Sequence, residues 1–550
     1  MRYTFALLLC FLFLAVPLTA QEELPYFEPS DCPFGEIDAD VECGYLFVPE
    51  DRNDPDSPAI ALAVALLNSP DPIYPPIINL EGGPGGASLV AVEAWLESAL
   101  LAERNIVLID QRGTGYSEPS LNCFEVDEGE ETATEDCRER LISEGINLNA
   151  YDSAQNAADI ADLITALELG EASLYGSSYG TRLALTIMRD YPDNLASVII
   201  DAVYPPHVQG YNEQPLWSYR AFRELFDACA AQPACDAAYP DLEQVFYDTV
   251  NAMNAEPMVF VDEETGEEFE MTGDDLVNDI FSQLYDVDAI PTLPQQIYDY
   301  MGGGEGGAGL EDAAAGLGGI DLSALSDEEY EALLMEYLEF ESVDDLYDFL
   351  DSLTDDEYFE LEDELIAYLS GDETFAGDEE QEDSGEEAFT GYVLDPSLLE
   401  IDSDSEGLFN SIECQEEVYF NTLEEAEALA ADIPEEIRLA MIDGVIAQFN
   451  DCDLWQVELS PEIENEPVES DIPTLVLSGQ FDPITPPEWG QAAADYLPNS
   501  FHFVFPGMGH GTVDLHPCPT DIALAFLADP FTEPDSSCIA EMSGPDFVTP

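Results

Sequence analysis

The stretch Ser173-Leu174-Tyr175-Gly176-Ser177-Ser178-Tyr179-Gly180-Thr181-Arg182-Leu183-Ala184-Leu185 is a short apolar run that breaks into G-x-S-x-G and continues as a helix. A serine on a sharp strand-to-helix turn needs small neighbours. Side chains at Gly176 and Gly180 would strike the adjoining backbone, and the turn lifts the Ser178 hydroxyl out above a sheet. The N-terminus of the following helix would aim its amide dipoles at charge developing there. Alone, the motif is equally compatible with a Gly/Ser-rich loop, so the rest of the chain must supply partners for a reacting serine.

Working outward, Ala154 to Leu169 carries Ile160, Leu163, Ile164 and Leu167 on one stripe and stops at Gly170, which predicts a helix leading into the strand Ala172 to Tyr175. Pro58 to Leu67 alternates as a strand does, and Pro76 to Leu80 and Asn105 to Ile109 read as buried parallel strands because both of their faces are apolar. A further strand, Ser197 to Ile200, follows the helix that ends near Pro192. This β-α-β rhythm predicts a doubly wound, mostly parallel α/β sheet over residues 21–205. It stops at Val203-Tyr204-Pro205-Pro206 and resumes at Thr474 to Ser478 and Phe501 to Phe505, within a C-terminal core part at 470–550. Between the two parts, 206–469 reads as a mainly helical lid with an acidic insert at about 302–390.

Within the insert, Gly302 to Gly307 reads as a flexible joint and Gly377 to Glu387 as a disordered, highly charged stretch. Leu325-Ser326-Asp327-Glu328-Glu329-Tyr330 recurs as Leu353-Thr354-Asp355-Asp356-Glu357-Tyr358, each a capping box opening an amphipathic acidic helix. A calcium loop is the sharper reading of so many acids, but the Asp-x-Asp-x-Asp-Gly spacing is missing.

The 550 residues include 120 acidic and 11 basic side chains, a formal net charge of -109; every basic one is arginine. Nucleic acid and anionic membrane would be repelled over the whole surface, so neither is expected as a partner. Such self-repulsion predicts a protein that works in high salt, where screening shortens to a few ångströms, or in acid, where carboxylates are protonated. Met1 to Ala20 reads as a secretory signal, with Arg2, an apolar Phe5 to Val16 and a small-residue end at Leu18-Thr19-Ala20. The apolar run is short for a membrane span, and Cys10 lies inside it rather than at its end, against a lipid anchor. The ten cysteines beyond it fall in local pairs, expected as disulfides Cys32/Cys43, Cys123/Cys137, Cys229/Cys235, Cys414/Cys452 and Cys518/Cys538 from proximity. No metal-ligand pattern is present in the sequence, and neither metal nor cofactor is expected.

A serine hydroxyl needs a base within hydrogen-bond reach, and the base needs a group that fixes its tautomer. Of the four histidines, His502 sits in an apolar strand, His207 beside two prolines, and His516 before Pro517. His510, in Phe505-Pro506-Gly507-Met508-Gly509-His510-Gly511, follows a strand at the sheet edge where ligands bind, and is the candidate base. Asp482 lies just past the preceding strand, with Pro483 stiffening the turn, and is the candidate orienting acid. The order Ser178, Asp482, His510 is that expected of an α/β-hydrolase. Donors for an oxyanion would be the amide of Tyr179 and, from Leu80-Glu81-Gly82-Gly83-Pro84-Gly85-Gly86, that of Gly83, with Gly85 in reserve because Pro84 has no N–H. The same glycine loop lacks the Gly-Lys-Ser/Thr end of a phosphate-binding loop.

Glu81 to Gly86, Asp110-Gln111-Arg112-Gly113-Thr114-Gly115-Tyr116-Ser117, Gly176 to Gly180, Asp482-Pro483-Ile484-Thr485-Pro486 and Gly509-His510-Gly511 together resemble the proline iminopeptidase and tripeptidyl-aminopeptidase branch of the α/β-hydrolases. Cys123 and Cys518 fit the extracellular tripeptidyl-aminopeptidase side. The resemblance covers both core parts and implies a secreted serine exopeptidase acting on free peptide N-termini. Two features depart from it: Glu81 stands where proline iminopeptidases usually carry histidine, and the segment Gly302 to Glu387 has no counterpart. Such an enzyme needs lid acids to hold the substrate ammonium, and Cys414-Gln415-Glu416-Glu417 resembles the corresponding lid segment, which makes Glu416 and Glu417 the candidates. The expected partner is therefore a peptide or small acyl substrate. An esterase or amidase on the same fold, and a non-catalytic binding protein built on the scaffold, are the alternatives.

Overall fold

Nine strands pair into one sheet in the order β1-β2-β3-β5-β4-β6-β7-β10-β11 in the computed structural model, which describes residues 24–35, 37, 39–127, 132–261, 268–302 and 404–549. The strands are β1 (Tyr26–Ser30), β2 (Val41–Pro49), β3 (Ala59–Leu67), β4 (Ile77–Leu80), β5 (Ile106–Ile109), β6 (Ala172–Ser177), β7 (Leu195–Asp201), β10 (Thr474–Gly479) and β11 (Ser500–Phe505); β8 (Met258–Val261) and β9 (Glu268–Met271) form a separate hairpin. From β5 across to β11 the pairing is parallel, and β1, β2 and β3 add an antiparallel edge. The strands β1 and β2 lie upstream of the first strand legible in the sequence, because their run mixes charged, glycine and apolar residues without a clean alternation. The expected signal, the repeat and nearly all of the acidic insert fall outside the described residues.

Successive residues of the central strands feed two different cores, as a period of two requires. Ile78, Leu80, Val107 and Ile109 join Leu163, Leu183 and Ile187 on one face, while Ile77, Ile106, Leu108, Leu475 and Leu477 join Phe505 and Phe526 on the other. A sheet covered on both faces is why β4 and β5 read as uninterrupted apolar runs.

Helix α1 (Ser153–Ala166) precedes β6, and α2 (Tyr179–Asp190) follows it. Between β7 and β10 lies the insertion, mainly helical, including α3 (Gly210–Ala231), α4 (Gly273–Gln283), α5 (Glu406–Glu416) and α6 (Glu435–Trp455). Its own core includes Phe222, Phe226 and Phe246, whose rings stand 5.4–6.4 Å apart. All five expected cysteine pairs are disulfides, and Cys414–Cys452 ties α5 to α6. Among the described residues no helix is long and apolar enough to cross a membrane.

Candidate active site

The chain passes from β6 into α2 through Ser178, which is held at φ 54° and ψ -125°, a region that L-residues enter only when the surroundings force them. The flanking glycines are explained by contact: a β-carbon on Gly176 would lie 2.3 Å from the Gly180 carbonyl oxygen, and one on Gly180 would lie 1.9 Å from that of Leu80. The turn is closed from both sides. Ser178 N–H donates to the Asp201 carbonyl at 3.1 Å, and Thr181 donates to the Ser178 carbonyl from its amide (2.9 Å) and its hydroxyl (2.6 Å).

Two and three strands further along the sheet, β10 leads into Asp482 and β11 into His510. Asp482 is fully buried, and its Oδ1 accepts the amides of Ile484 (3.0 Å) and Thr485 (2.8 Å). Its Oδ2 is 2.9 Å from His510 Nδ1 and also accepts the Thr485 hydroxyl at 2.7 Å. Burial opposes a charged imidazole, but the adjacent Asp482 carboxylate, helped by Asp201, outweighs it and holds His510 above the ordinary histidine value. The other three histidines are otherwise engaged. His502 Nε2 shares a hydrogen bond with Ser478 Oγ at 3.2 Å, His516 Nδ1 accepts the Cys518 amide at 3.1 Å, and His207 packs edge-on against Tyr496.

Asp201 was not singled out by the sequence and bridges the two halves of the site. Its carbonyl holds the Ser178 amide, while its carboxylate accepts the amides of Thr512 (2.8 Å) and Val513 (3.0 Å), two and three residues past His510. Elbow and histidine loop are thus tied to the same residue. The structure places no hydrogen bond between Ser178 Oγ and His510; bonds of this kind often tighten only once substrate is in place.

The glycine loop lies beside the serine: a β-carbon on Gly82 would be 3.0 Å from Ser178 Cβ. Gly83 has φ +103°, and Tyr179, the first residue of α2, has one of the amides left without an intrahelical acceptor. Gly85 meets the segment before α5: its carbonyl accepts the Ser405 amide at 3.0 Å, and a β-carbon there would be 2.6 Å from Ser405 O. Glu81 works inside its own loop, accepting from Asn79 Nδ2 (3.1 Å) and the Gly82 amide (3.2 Å).

Glu416 and Glu417 are both buried, at the end of α5, and meet Arg182 of the elbow helix. Glu416 accepts the Ser153 amide (2.6 Å), the Ser153 hydroxyl (2.7 Å) and Arg182 Nε (3.2 Å). Glu417 forms a close ion pair with Arg182 Nη1, while Glu413 accepts the Tyr211 hydroxyl at 3.0 Å. Three buried carboxylates therefore crowd one guanidinium. Burial first, and repulsion among them, push Glu413 and Glu417 up from the ordinary value of 4.5 despite Arg182. The sign follows: below pH 4.5 both states hold the protons, and as pH rises the unfolded chain releases them first, so stability falls toward neutrality. Glu413→Gln is expected to flatten that decline in the unfolding midpoint between pH 4.5 and 8; an unchanged slope would show that the cluster does not carry it.

A sharp serine turn beyond the sixth strand of a mostly parallel sheet, with acid and histidine after the last two strands, defines an α/β-hydrolase. Residues 75–241 match the family described as alpha/beta hydrolase fold, and residues 441–538 match that described as TAP-like protein. The chain has the α/β-hydrolase fold, and its two core parts are similar to TAP-like proteins and proline iminopeptidases. YuaR of Escherichia coli K12 is 26% identical over 211 residues, 34% of this chain and 42% of that protein. Serine protease Hip1 of Mycobacterium tuberculosis H37Rv is 28% identical over 236 residues, 38% of this chain and 45% of Hip1, and the proline iminopeptidase of Arabidopsis thaliana is 28% identical over 129 residues, 24% of this chain and 27% of that enzyme. The matched part of the chain thus spans less than half the length of each of these relatives.

Proposed function

We propose that the chain is a secreted serine peptidase that releases residues or short peptides from free N-termini through an acyl-enzyme. Ser178 attacks the carbonyl, His510 takes its proton and returns it to the leaving amine, and Asp482 holds the imidazole in the tautomer that presents Nε2 to the serine. The amides of Gly83 and Tyr179 hold the oxyanion, each worth about 3 kcal/mol. Water then repeats the sequence to release the acid. The observation that carries this reading is the 2.9 Å Asp482–His510 pair on a loop that Asp201 ties to the Ser178 turn. The five disulfides support an oxidising, extracytoplasmic location.

Glu416 and Glu417 remain the proposed ammonium anchor, with Glu417 the stronger of the two. Both oxygens of Glu416 are occupied by Ser153 and Arg182, whereas Glu417 shares an overdrawn Arg182 with two other carboxylates, so an arriving ammonium would supply a second cation. The full burial of both favours the second reading, an esterase or amidase that needs no free amine. One peptide amide offered with its N-terminus free and acetylated separates the two. The aminopeptidase is expected to lose at least about a hundredfold in kcat/KM on acetylation, since an unpaired buried charge costs several kcal/mol; equal rates would defeat it.

A further inference from the structure

Beyond the reacting groups, the insertion itself touches the histidine. Two residues past α4, the carbonyl of Tyr285 accepts the His510 amide at 2.8 Å, and the Tyr285 ring lies 4.9 Å from the imidazole, centroid to centroid. The contact dictates a residue of the core. A β-carbon on Gly509 would be 2.3 Å from the Tyr285 carbonyl oxygen and 2.7 Å from that of Leu284, so the position before the histidine is glycine because the insertion occupies the space. The acid is gripped from the same side: Arg220 of α3 donates to the Gln480 carbonyl at 2.8 and 2.9 Å and to the Asp482 carbonyl at 3.3 Å.

We propose that Tyr285 is a positioning residue for His510, so that the helical insertion completes the base. This rests on the Ser178–His510–Asp482 reading. Asp482 fixes Nδ1, and Asp201 fixes the backbone beyond the histidine, but neither fixes the tilt of the ring. Tyr285 supplies that restraint from two directions, the amide bond setting the main chain and the aromatic face limiting ring rotation. A displacement of about an ångström at such a point costs on the order of a hundredfold in rate.

The test compares Tyr285→Ala, Tyr285→Phe and Gly509→Ala with Ser178→Ala in the full chain, by steady-state hydrolysis, by the rate of labelling with a fluorophosphonate, and by thermal unfolding. Tyr285→Ala is expected to lower kcat and the labelling rate in parallel by about tenfold or more with KM unchanged, Tyr285→Phe to restore both to within about twofold, and Gly509→Ala to lower both by about a hundredfold. A role confined to packing would shift the unfolding midpoint and leave the labelling rate of the folded enzyme alone. If Gly509→Ala does not fold, Tyr285→Ala decides. Normal kcat and labelling in Tyr285→Ala, with Ser178→Ala inactive, would overturn this inference and leave the triad standing; hydrolysis surviving in Ser178→Ala would remove the triad reading itself.

Discussion

Ser178→Ala is expected to lower kcat by about 10⁴- to 10⁶-fold, to abolish fluorophosphonate labelling, and to leave the unfolding midpoint nearly unchanged. His510→Ala should lose about as much, and the double variant should lose little beyond either single one, because nucleophile and base act as a unit. Asp482→Asn should cost about 10⁴-fold. Its carboxylate also accepts two amides and the Thr485 hydroxyl, so this variant should be the least stable of the three. The comparison therefore distinguishes chemistry from scaffolding at one site: serine and histidine variants should be inactive and stable, the aspartate variant inactive and weakened. Retained hydrolysis in Ser178→Ala would remove the nucleophile and favour the binding-protein alternative.

The second large effect is expected from salt. A formal charge of -109 is spread over a chain with 11 cationic side chains, and most of those are committed inside. Arg112 pairs with Asp159, Arg52 with Asp159 and Asp162, Arg182 with Glu416 and Glu417, and Arg189 with Glu464. Surface acids are thus left without local compensation, and only mobile cations can screen them. Between 0.1 and 1 M salt the screening length drops from about 10 to about 3 Å. The unfolding midpoint at pH 7 is expected to rise over that range by about 10 °C or more, equivalent to several kcal/mol at about 2–4 °C per kcal/mol. A flat or falling trend in NaCl would falsify the salt-adapted reading. An acid-adapted protein would instead gain its stability at low salt as the pH is lowered.

The core of the fold was legible because its signals are local. The strands β4 and β5 announce themselves by continuous apolar runs, the elbow by two glycines that steric contact requires, and the cysteine pairs by proximity. Asp482 and His510 were legible through position, each just past a strand in the right order. Asp201 and Tyr285 were not, for a shared reason: their importance lies in which loop they reach across space. Asp201 closes a strand like any other residue until its carboxylate is seen holding the chain beyond His510. For Tyr285 the only trace was Gly509, a glycine in a glycine-rich loop. The burial of Glu416 and Glu417 was hidden for a different reason. In a chain with 120 acidic residues, carboxylates look like solvated surface, and only the lone Arg182 one turn into α2 hinted that some would be drawn inside.

The internal use of the arginines also decides how this protein meets reagents. Among the described residues only Arg223 is exposed, and the chain has no lysine. Among the described residues, a protease that cleaves after basic residues would find one fully exposed arginine, on α3, while Arg104, Arg112 and Arg182 are buried, so cleavage after these three becomes a direct clock for unfolding. Amine-directed reagents such as N-hydroxysuccinimide esters have no side chain to acylate and would modify the α-amino group alone. That leaves a single addressable amine for attaching a fluorophore or a surface tether, without touching the acid-rich exterior or the site above the sheet.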